Sequence, residues 1–218
     1  MTIEIFAFSL SPRAFKTLVT ASHLGVDYTL RELNPRAGDF QKPDYAAINP
    51  NMRMPTLKDG DYIVWEANAI LQYLALQKPD SGLLPKAERA RLDVTRWQFW
   101  DLAHWDPVCG VYTFENVAKP LVMGINDPDT AALAEAEEKF NRSAKVLDDQ
   151  LKGKKFVTGD SLTVADFSLG CALVHAEMAK IPLGSYLEIK RWLASLQALP
   201  AWQKTLAAQQ PVVAALQK

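Results

Sequence analysis

The hydrophobic pattern at the start of the chain predicts a strand, a helix and a second strand. Thr2 to Phe8 is a short β-rich run without breakers. Ser11-Pro12 then has the composition of a helix start, with serine as N-cap and proline at the first helical position. Gly25 ends the apolar helical stripe, and Tyr28 to Leu33 predicts another strand. This order is a βαβ unit.

A hairpin and a helix follow after an irregular segment. Asn34 to Asn51 contains three prolines and a glycine, and we expect a surface excursion there. Thr56 to Lys58 and Tyr62 to Trp65 are short apolar runs separated by Asp59-Gly60-Asp61, a turn sequence typical of hairpins. The next apolar residues have the spacing of one buried helical face, namely Ile70, Leu71, Tyr73 and Leu74. The backbone N–H groups at the start of this helix are therefore free to hold an anion.

Beyond Lys78 the pattern becomes helical. Lys78 to Pro85 contains two prolines and a glycine and predicts a linker. Helices are expected over Arg89 to Trp105, over about Pro128 to Leu151, and after Leu162, where Thr163 and Asp166 are spaced like a capping box. Two closing helices are expected over Tyr186–Leu199 and Ala201–Ala208. We therefore predict an α/β domain over residues 1–78, a linker over 79–85 and an all-α domain over 86–218.

Composition and charge narrow the class of protein. The chain has 218 residues, of which 49% are hydrophobic and 22% charged, so it is long enough for one large core or two modest ones. With 24 Lys and Arg against 25 Asp and Glu and no basic tract, neither nucleic acid nor an anionic membrane surface is indicated as a partner. The N-terminus lacks a signal peptide and no apolar run is long enough to span a bilayer, so we expect a cytoplasmic protein. Cys109 and Cys171 are too few for a disulfide framework and are expected to be buried thiols.

Several short motifs resemble one enzyme family. Met54-Pro55, Asp59-Gly60 and Glu66 to Ile70 resemble the glutathione-binding half of the glutathione S-transferases, in which a hydrophobic residue precedes a cis-proline and Glu-Ser-x-Ala-Ile follows later. Thr163 and Asp166 match the box that starts the buried central helix of the family's helical domain. The resemblance implies a thioredoxin-like α/β domain followed by an all-α domain.

The resemblance also assigns roles to residues of the hairpin region. Met54, before a cis Pro55, would offer its backbone N–H and C=O to the cysteinyl unit of glutathione. Glu66 would contact the γ-glutamyl ammonium, or else only favour the helix dipole as an N-terminal acid. Ala67 stands where the family has serine, and the missing hydroxyl loses a hydrogen bond to the γ-glutamyl carboxylate worth roughly 1.5 to 3 kcal/mol.

A second departure concerns the glycyl carboxylate of glutathione. Phe40 and Gln41 stand where a His-Lys pair often makes this contact in similar sequences. Lys42 or Arg53 is available as a substitute, because a guanidinium or ammonium group pairs well with a carboxylate. The other interpretation of Arg53 is a solvated loop charge.

Ser11 is the candidate catalytic residue. In the serine-type transferases that the chain resembles, the hydroxyl at this turn donates to the glutathione sulfur and favours the thiolate, together with the helix dipole. Two alternatives remain open, since Ser11 could serve only as the helix N-cap and Ser9 is close enough to take its place. Neither tyrosine nor cysteine occurs between Met1 and Val26, which disfavours chemistry through an enzyme thiol.

Aromatic residues on the first helix of the all-α domain are candidates for the electrophile pocket. The family builds this pocket from that region, which here contains Trp105, Tyr112 and Phe114. His104 is expected to serve packing rather than a His-Asp couple, and His23 and His175 lack companions at metal-ligand spacing. We therefore expect no metal and no organic cofactor, with glutathione as cosubstrate.

The expected function is addition of the glutathione thiolate to small apolar electrophiles. The alternatives are a catalytically weak, transferase-like binding or regulatory protein, and a glutathione-dependent isomerase or dehalogenase on the same scaffold. By resemblance we also expect a homodimer, with Asn51-Met52 at the contact between subunits.

Overall fold

The computed structural model describes residues 3–216, so Thr2, the first residue of the predicted β-run, lies outside the described part. These residues form two compact units. The first contains the chain up to Lys78 together with the chain from Pro200 onward, and the second runs from Pro79 to Leu199.

The first unit is built on a mixed four-stranded sheet. Its order is β2-β1-β3-β4, with β1 parallel to β2 and antiparallel to β3, and β3 antiparallel to β4. The strands and the helices between them are β1 Ile3–Ala7, α1 Pro12–Leu24, β2 Tyr28–Glu32, α2 Pro43–Ile48, β3 Thr56–Asp59, β4 Tyr62–Trp65 and α3 Ala67–Gln77. The predicted βαβ unit, hairpin and following helix are thereby confirmed.

Local sequence explains where α1 begins and ends. Pro12 occupies the first helical position, and Gly25 closes the helix in the left-handed region at φ 61, where a side chain would be strained. Its buried face, with Phe15 and Leu18, packs on α3, whose Ile70 and Leu74 are fully buried, and on the helix over residues 200–208. On β1, one of the two inner strands, Ile3, Ile5 and Ala7 form a buried apolar face that contributes to the core of this unit.

The regular elements of the second unit, in the part that the structure describes, are helices. Its helices are α4 Glu88–Trp100, α5 Asp106–Thr113, α6 Thr130–Leu151, α7 Val164–Cys171 and α8 Leu187–Gln197. Two π-helical segments, Asp101–Trp105 and Phe114–Met123, flank α5. The sequence did not indicate them, because a π-turn has no periodicity of its own at this length. The core contains Trp105, Phe140, Phe167 and Trp192, each with no exposed surface.

The capping box at the start of α7 is confirmed. Asp166 accepts hydrogen bonds from the N–H of Thr163 at 2.9 Å and from its hydroxyl at 3.1 Å, both on Oδ2. Its other oxygen accepts from Val157 N–H at 2.8 Å and from Trp192 Nε1 at 3.0 Å. Burial raises the pKa of this carboxyl, and the hydrogen bonds oppose that rise.

The last two helices belong to the first unit, whereas we expected them in the all-α domain. They are α9 Pro200–Ala208 and α10 Gln210–Leu216, and the sequence did not predict α10. The ring of Trp202 packs edge-on against Phe15 of α1, with 4.9 Å between centroids. Arg36 donates to the carbonyl oxygen of Leu216 at 2.9 Å. Helical periodicity marks the buried face of a helix but does not say which domain covers it.

The segment predicted as a linker, residues 79–85, contains a helical turn and buried side chains. Pro79–Ser81 forms a 3₁₀ turn, and Leu83 and Leu84 after it are buried. Val164 N–H donates to the carbonyl oxygen of Leu83 at 2.9 Å, so this segment packs with the second unit. Among the described helices, none has both the length and the apolar character to cross a bilayer.

Candidate functional site

Four chain segments meet at one end of the sheet because of the strand directions. The parallel strands β1 and β2 both end there, β4 ends there, and β3 begins there. The register pairs Phe6 with Thr56 and Thr56 with Trp65. The turn that contains Ser11, the Met54-Pro55 peptide and Glu66 therefore come from adjacent strand ends.

Ser11 is half-buried at the N-terminus of α1. Its N–H donates to Phe8 O at 2.9 Å, and its carbonyl accepts from Phe15 N–H at 2.8 Å. Its side chain makes no capping hydrogen bond, so the interpretation of Ser11 as a side-chain cap is not what the structure shows. The hydroxyl stands beside a helix start whose first N–H groups have no side-chain cap.

The rival serine is in a different setting. Ser9 is 4% exposed, and both its N–H and its hydroxyl donate to Glu32 Oε1, at 2.8 and 3.1 Å. Desolvation raises the pKa of the Glu32 carboxyl, and these two hydrogen bonds oppose the rise. The Ser9 hydroxyl is therefore already committed to a partner.

The Met54-Pro55 peptide is cis, as predicted. Met54 is half-buried, and its backbone N–H and C=O bond to no other residue in the described range. Its sulfur lies 3.1 Å from Phe8 N, and Phe8 O in turn accepts from Ser11 N–H. Phe8 thus connects the cis-peptide segment to the Ser11 turn.

Three buried polar side chains hold the segment before the cis peptide in place, and the sequence analysis assigned none of them this role. The hydroxyl of Tyr45 and the amide of Asn49 each donate to the carbonyl oxygen of Arg53 at 2.6 Å. Both also contact Thr56 Oγ1, at 2.9 and 3.0 Å. All three side chains are buried. From the sequence, Thr56 was placed only at the start of a strand, and Tyr45 and Asn49 only within the expected surface excursion.

Glu66 and Ala67 begin α3. Glu66 is exposed and has φ 71 and ψ 113, an uncommon conformation for a residue with a side chain. Ala67 is buried, and no side chain caps the helix, whose first main-chain bond runs from Ile70 N–H to Glu66 O at 3.0 Å. This helix start therefore offers N–H groups and an adjacent carboxylate to a ligand that carries both charges.

The residues proposed to bind the glycyl carboxylate differ in their exposure and in their ion pairs. Phe40 is half-buried and Gln41 exposed, both in the 3₁₀ turn Asp39–Gln41. Lys42 pairs with Asp39 at 2.6 Å, which also lowers the pKa of the Asp39 carboxyl. Arg53 is exposed, and its guanidinium pairs with no side chain among residues 3–216. Of the two cationic substitutes, Arg53 is the one without a competing partner.

Two of the three electrophile-pocket candidates, Trp105 and Tyr112, are buried, so their role in the pocket stays a prediction that their burial does not favour. Trp105 has no exposed surface, stacks on Phe140 at 5.3 Å and donates from Nε1 to Leu169 O at 3.0 Å. Tyr112 is buried against the same Phe140 ring, at 5.8 Å, and burial raises its pKa. Helical spacing identified their apolar face but not that α6 covers it. Phe114 is 46% exposed, so its role stays a prediction.

The described residues contain no group of three or more His, Cys, Asp or Glu placed to hold a metal ion. The two cysteines are buried free thiols, as expected, and neither lies near the Ser11 turn in the sequence. The groups considered for glutathione at this end of the sheet are the Ser11 hydroxyl, backbone N–H groups, the Glu66 carboxylate and the Arg53 guanidinium.

Comparisons with known proteins identify the family of this chain. Residues 1–76 match the model of the glutathione S-transferase N-terminal domain, and residues 112–200 match that of the C-terminal domain. A glutathione S-transferase of Hyoscyamus muticus is 31% identical over 210 residues, covering 94% of this chain and 98% of that relative. Glutathione S-transferase 3 of Zea mays is 29% identical over 214 residues, covering 94% of each chain.

Solved structures show the same fold. Glutathione transferase F2 of Populus trichocarpa superposes with a TM-score of 0.87 at 23% identity, covering 96% of this chain and 99% of that one. A glutathione S-transferase of Pseudomonas fluorescens gives 0.83 at 25% identity, covering 92% and 97%. The thioredoxin-like domain and the all-α domain are thereby confirmed. From the matches to both domain models and the relatives along almost the whole chain, we conclude that this protein belongs to the glutathione S-transferase family.

Proposed function

We propose that this chain conjugates glutathione to small apolar electrophiles, with Ser11 holding the reacting thiolate. The observation that carries the proposal is the contrast between two serines. The hydroxyl of Ser11 caps nothing at a half-buried helix start, while the hydroxyl of Ser9 donates to Glu32. A hydroxyl donor and a helix dipole both favour the anionic form of a nearby thiol. More thiolate at neutral pH means faster attack on an electrophile.

The rest of glutathione is assigned by charge and hydrogen-bond type. Met54 offers one unpaired N–H and C=O beside Pro55, which suits the peptide groups around the cysteinyl unit. Glu66 takes the γ-glutamyl ammonium, and the N–H of Ala67 with the α3 dipole takes its carboxylate. Arg53 takes the glycyl carboxylate, with Phe40 and Gln41 lining that end.

Glutathione is a substrate in this proposal, and no other organic group has a role. The chain's residues bind and orient it, and the proton leaves the thiol because the thiolate is stabilised. The regulatory alternative is not favoured, since the curated relatives are themselves named as glutathione S-transferases. We assign the electrophile's class as apolar by the family's precedent, with Phe114 as the exposed candidate contact.

Two further proposals rest on the same family. One is a homodimer in which Met52, 43% exposed and held at φ 49, contributes to the contact together with Asn51. Light scattering tests it, since a monomer mass near 24.3 kDa at micromolar concentration would contradict it. The other is a cytoplasmic location, which cell fractionation tests.

The central experiment measures binding and thiol ionisation separately. Calorimetry with glutathione and with an S-alkyl glutathione gives affinity, and thiolate absorbance against pH gives the pKa of the bound thiol. Ser11→Ala should leave affinity within a few-fold but raise that pKa and slow conjugation across a panel of electrophiles. Ser22→Ala, the same change at the far end of α1, is the control and should behave as the parent.

Three results would count against the proposal. Absence of glutathione binding contradicts it entirely. Saturable binding without turnover on any electrophile favours the regulatory alternative. An unchanged thiol pKa in Ser11→Ala removes Ser11 from the reaction and leaves the thiolate to backbone N–H groups.

A further inference from the structure

Ser9 is held by two residues from distant parts of the chain. Its N–H and hydroxyl donate to Glu32 Oε1 at 2.8 and 3.1 Å, and its carbonyl oxygen accepts from Gln209 Nε2 at 2.6 Å. Gln209 is 2% exposed and lies 200 positions further along the chain. Every hydrogen-bonding group of Ser9 is therefore engaged.

Gln209 is itself firmly placed between α9 and α10. Its N–H donates to Leu206 O at 3.1 Å, and its carbonyl accepts from the N–H groups of Val212 and Val213 at 3.0 and 3.1 Å. About two helical turns upstream, Trp202 packs against Phe15 of α1. The C-terminal segment is thus fastened to the first unit by an apolar contact and, at Gln209, by a polar one.

This contact lies immediately before the turn of the proposed catalytic serine. Ser11 follows Ser9 by two positions, and two residues span at most about 7 Å even when extended. The bond from Ser11 N–H to Phe8 O closes the turn on the other side of Ser9. Displacement of the Ser9 peptide therefore carries Ser11 with it.

We propose that Gln209 is a positioning residue for the glutathione thiolate, acting through Ser9 on the orientation of Ser11, with Glu32 as the second support of the same peptide. The proposal rests on the proposed role of Ser11. It gives the C-terminal segment a part in catalysis without contact to substrate, because within residues 3–216 the side-chain amide of Gln209 donates to the Ser9 carbonyl. The hydrogen bond from a hydroxyl to a sulfur weakens steeply as its angle departs from linear. A small shift of the Ser11 turn is therefore enough to weaken stabilisation of the thiolate.

The test replaces the amide donor while keeping the side chain's volume. In Gln209→Met the donor to Ser9 is lost, and Gln210→Met is the matched control at the adjacent exposed glutamine. We expect Gln209→Met to bind glutathione within about threefold of the parent, with a bound-thiol pKa higher by about half a unit, which is roughly a threefold loss of thiolate at a pH below both values. Gln210→Met should match the parent in both.

A merely structural role predicts something else. Gln209→Met would then lower the melting temperature and the active fraction while the folded protein keeps the parental thiol pKa, and this result overturns the proposal. Gln209→Asn, whose amide is one methylene shorter, serves as a milder variant if Gln209→Met does not fold. It should move the thiol pKa in the same direction by less, and an unchanged value in it also overturns the proposal.

A double variant separates this proposal from the role of Ser11. In a Ser11→Ala background the effect of Gln209→Met on thiol pKa should vanish, because the group it positions is gone. An effect that persists shows that Gln209 acts by another route and overturns the proposal. If Ser11→Ala alone does not move the thiol pKa, the proposed function fails at Ser11 itself, which is a different result.

Discussion

The phenolic hydroxyl of Tyr73 donates a hydrogen bond of 2.6 Å to Asp59 Oδ2. Tyr73 lies in α3 and Asp59 at the end of β3, so this bond ties the helix that begins at Ala67 to the hairpin that follows Pro55. The ring of Tyr62 packs beside it, with centroids 5.2 Å apart. Burial, the hydrogen bond to Asp59 and the charge of Asp59 raise the pKa of Tyr73 to about 12.

Tyr73→Phe should lower the free energy of unfolding by about 1 kcal/mol at neutral pH, because a hydrogen bond to a carboxylate is lost. The native pKa is raised above the ordinary value of 10, so the contribution is fully present below pH 10 and is lost as pH rises toward 12. Denaturant unfolding of both proteins across this range measures it. A difference that stays constant up to pH 12 would contradict the assignment.

Removal of the Asp166 carboxylate should greatly destabilise the second unit. Asp166→Ala leaves the N–H groups of Val157 and Thr163 and the indole N–H of Trp192 without their acceptor. At about 1 kcal/mol or more for each buried donor, unfolding should become easier by at least about 3 kcal/mol. Thermal and denaturant unfolding are the measurements. The control is Asp160→Ala, an exposed aspartate nearby, which should change stability by less than about 0.5 kcal/mol.

Gly170 in α7 is a packing position. A Cβ there would overlap Leu196 Cδ1 and lie 3.4 Å from a ring carbon of Trp192, and both side chains are fully buried. Gly170→Ala should therefore destabilise by about 1 to 3 kcal/mol despite alanine's higher helix propensity. Gly184→Ala, where a Cβ meets nothing within 4 Å, should be neutral. Equal stability of the two variants would show that α8 moves away at little cost.

Substitutions at the start of α3 should change the affinity for glutathione. Glu66→Ala should weaken binding by ~2 kcal/mol or more, about thirtyfold, since the ligand ammonium loses its carboxylate, and Glu66→Gln should lie between. Ala67→Ser should tighten binding by up to about tenfold through an added hydrogen bond. Calorimetry measures all three.

Glu66→Gly separates charge from backbone conformation. Glycine adopts φ 71 without strain, so this variant should be at least as stable as Glu66→Ala while binding glutathione equally weakly. Recovery of binding in Glu66→Gly would mean that backbone conformation, and not the carboxylate, matters for the ligand. Normal binding by Glu66→Ala would refute the proposed placement of glutathione.

Much of the secondary structure can be predicted from residues that are close together in the sequence. The strands, α1, the hairpin, α3 and the Thr163–Asp166 box depend on turn residues, caps and apolar periodicity, all of which act over a few positions. The cis Met54-Pro55 peptide came from the resemblance to a family, through a motif of similarly short span, and the two-domain order came from the change to a helical pattern beyond Lys78. The boundary at residue 200 did not follow, because α9 shows the same apolar stripe whichever domain covers it.

The choice between Ser9 and Ser11 needed the folded chain. Both are serines at the same turn, and they differ only because Glu32 and Gln209 reach Ser9 from 23 and 200 positions away. Trp105 and Tyr112 likewise are aromatic residues typical of a pocket wall, and only the folded structure shows that Phe140 of α6 packs against both rings. Hydrogen bonds and ring contacts between remote segments leave no periodic pattern in a sequence, so burial and free hydrogen-bonding capacity at these residues are properties of the tertiary packing alone.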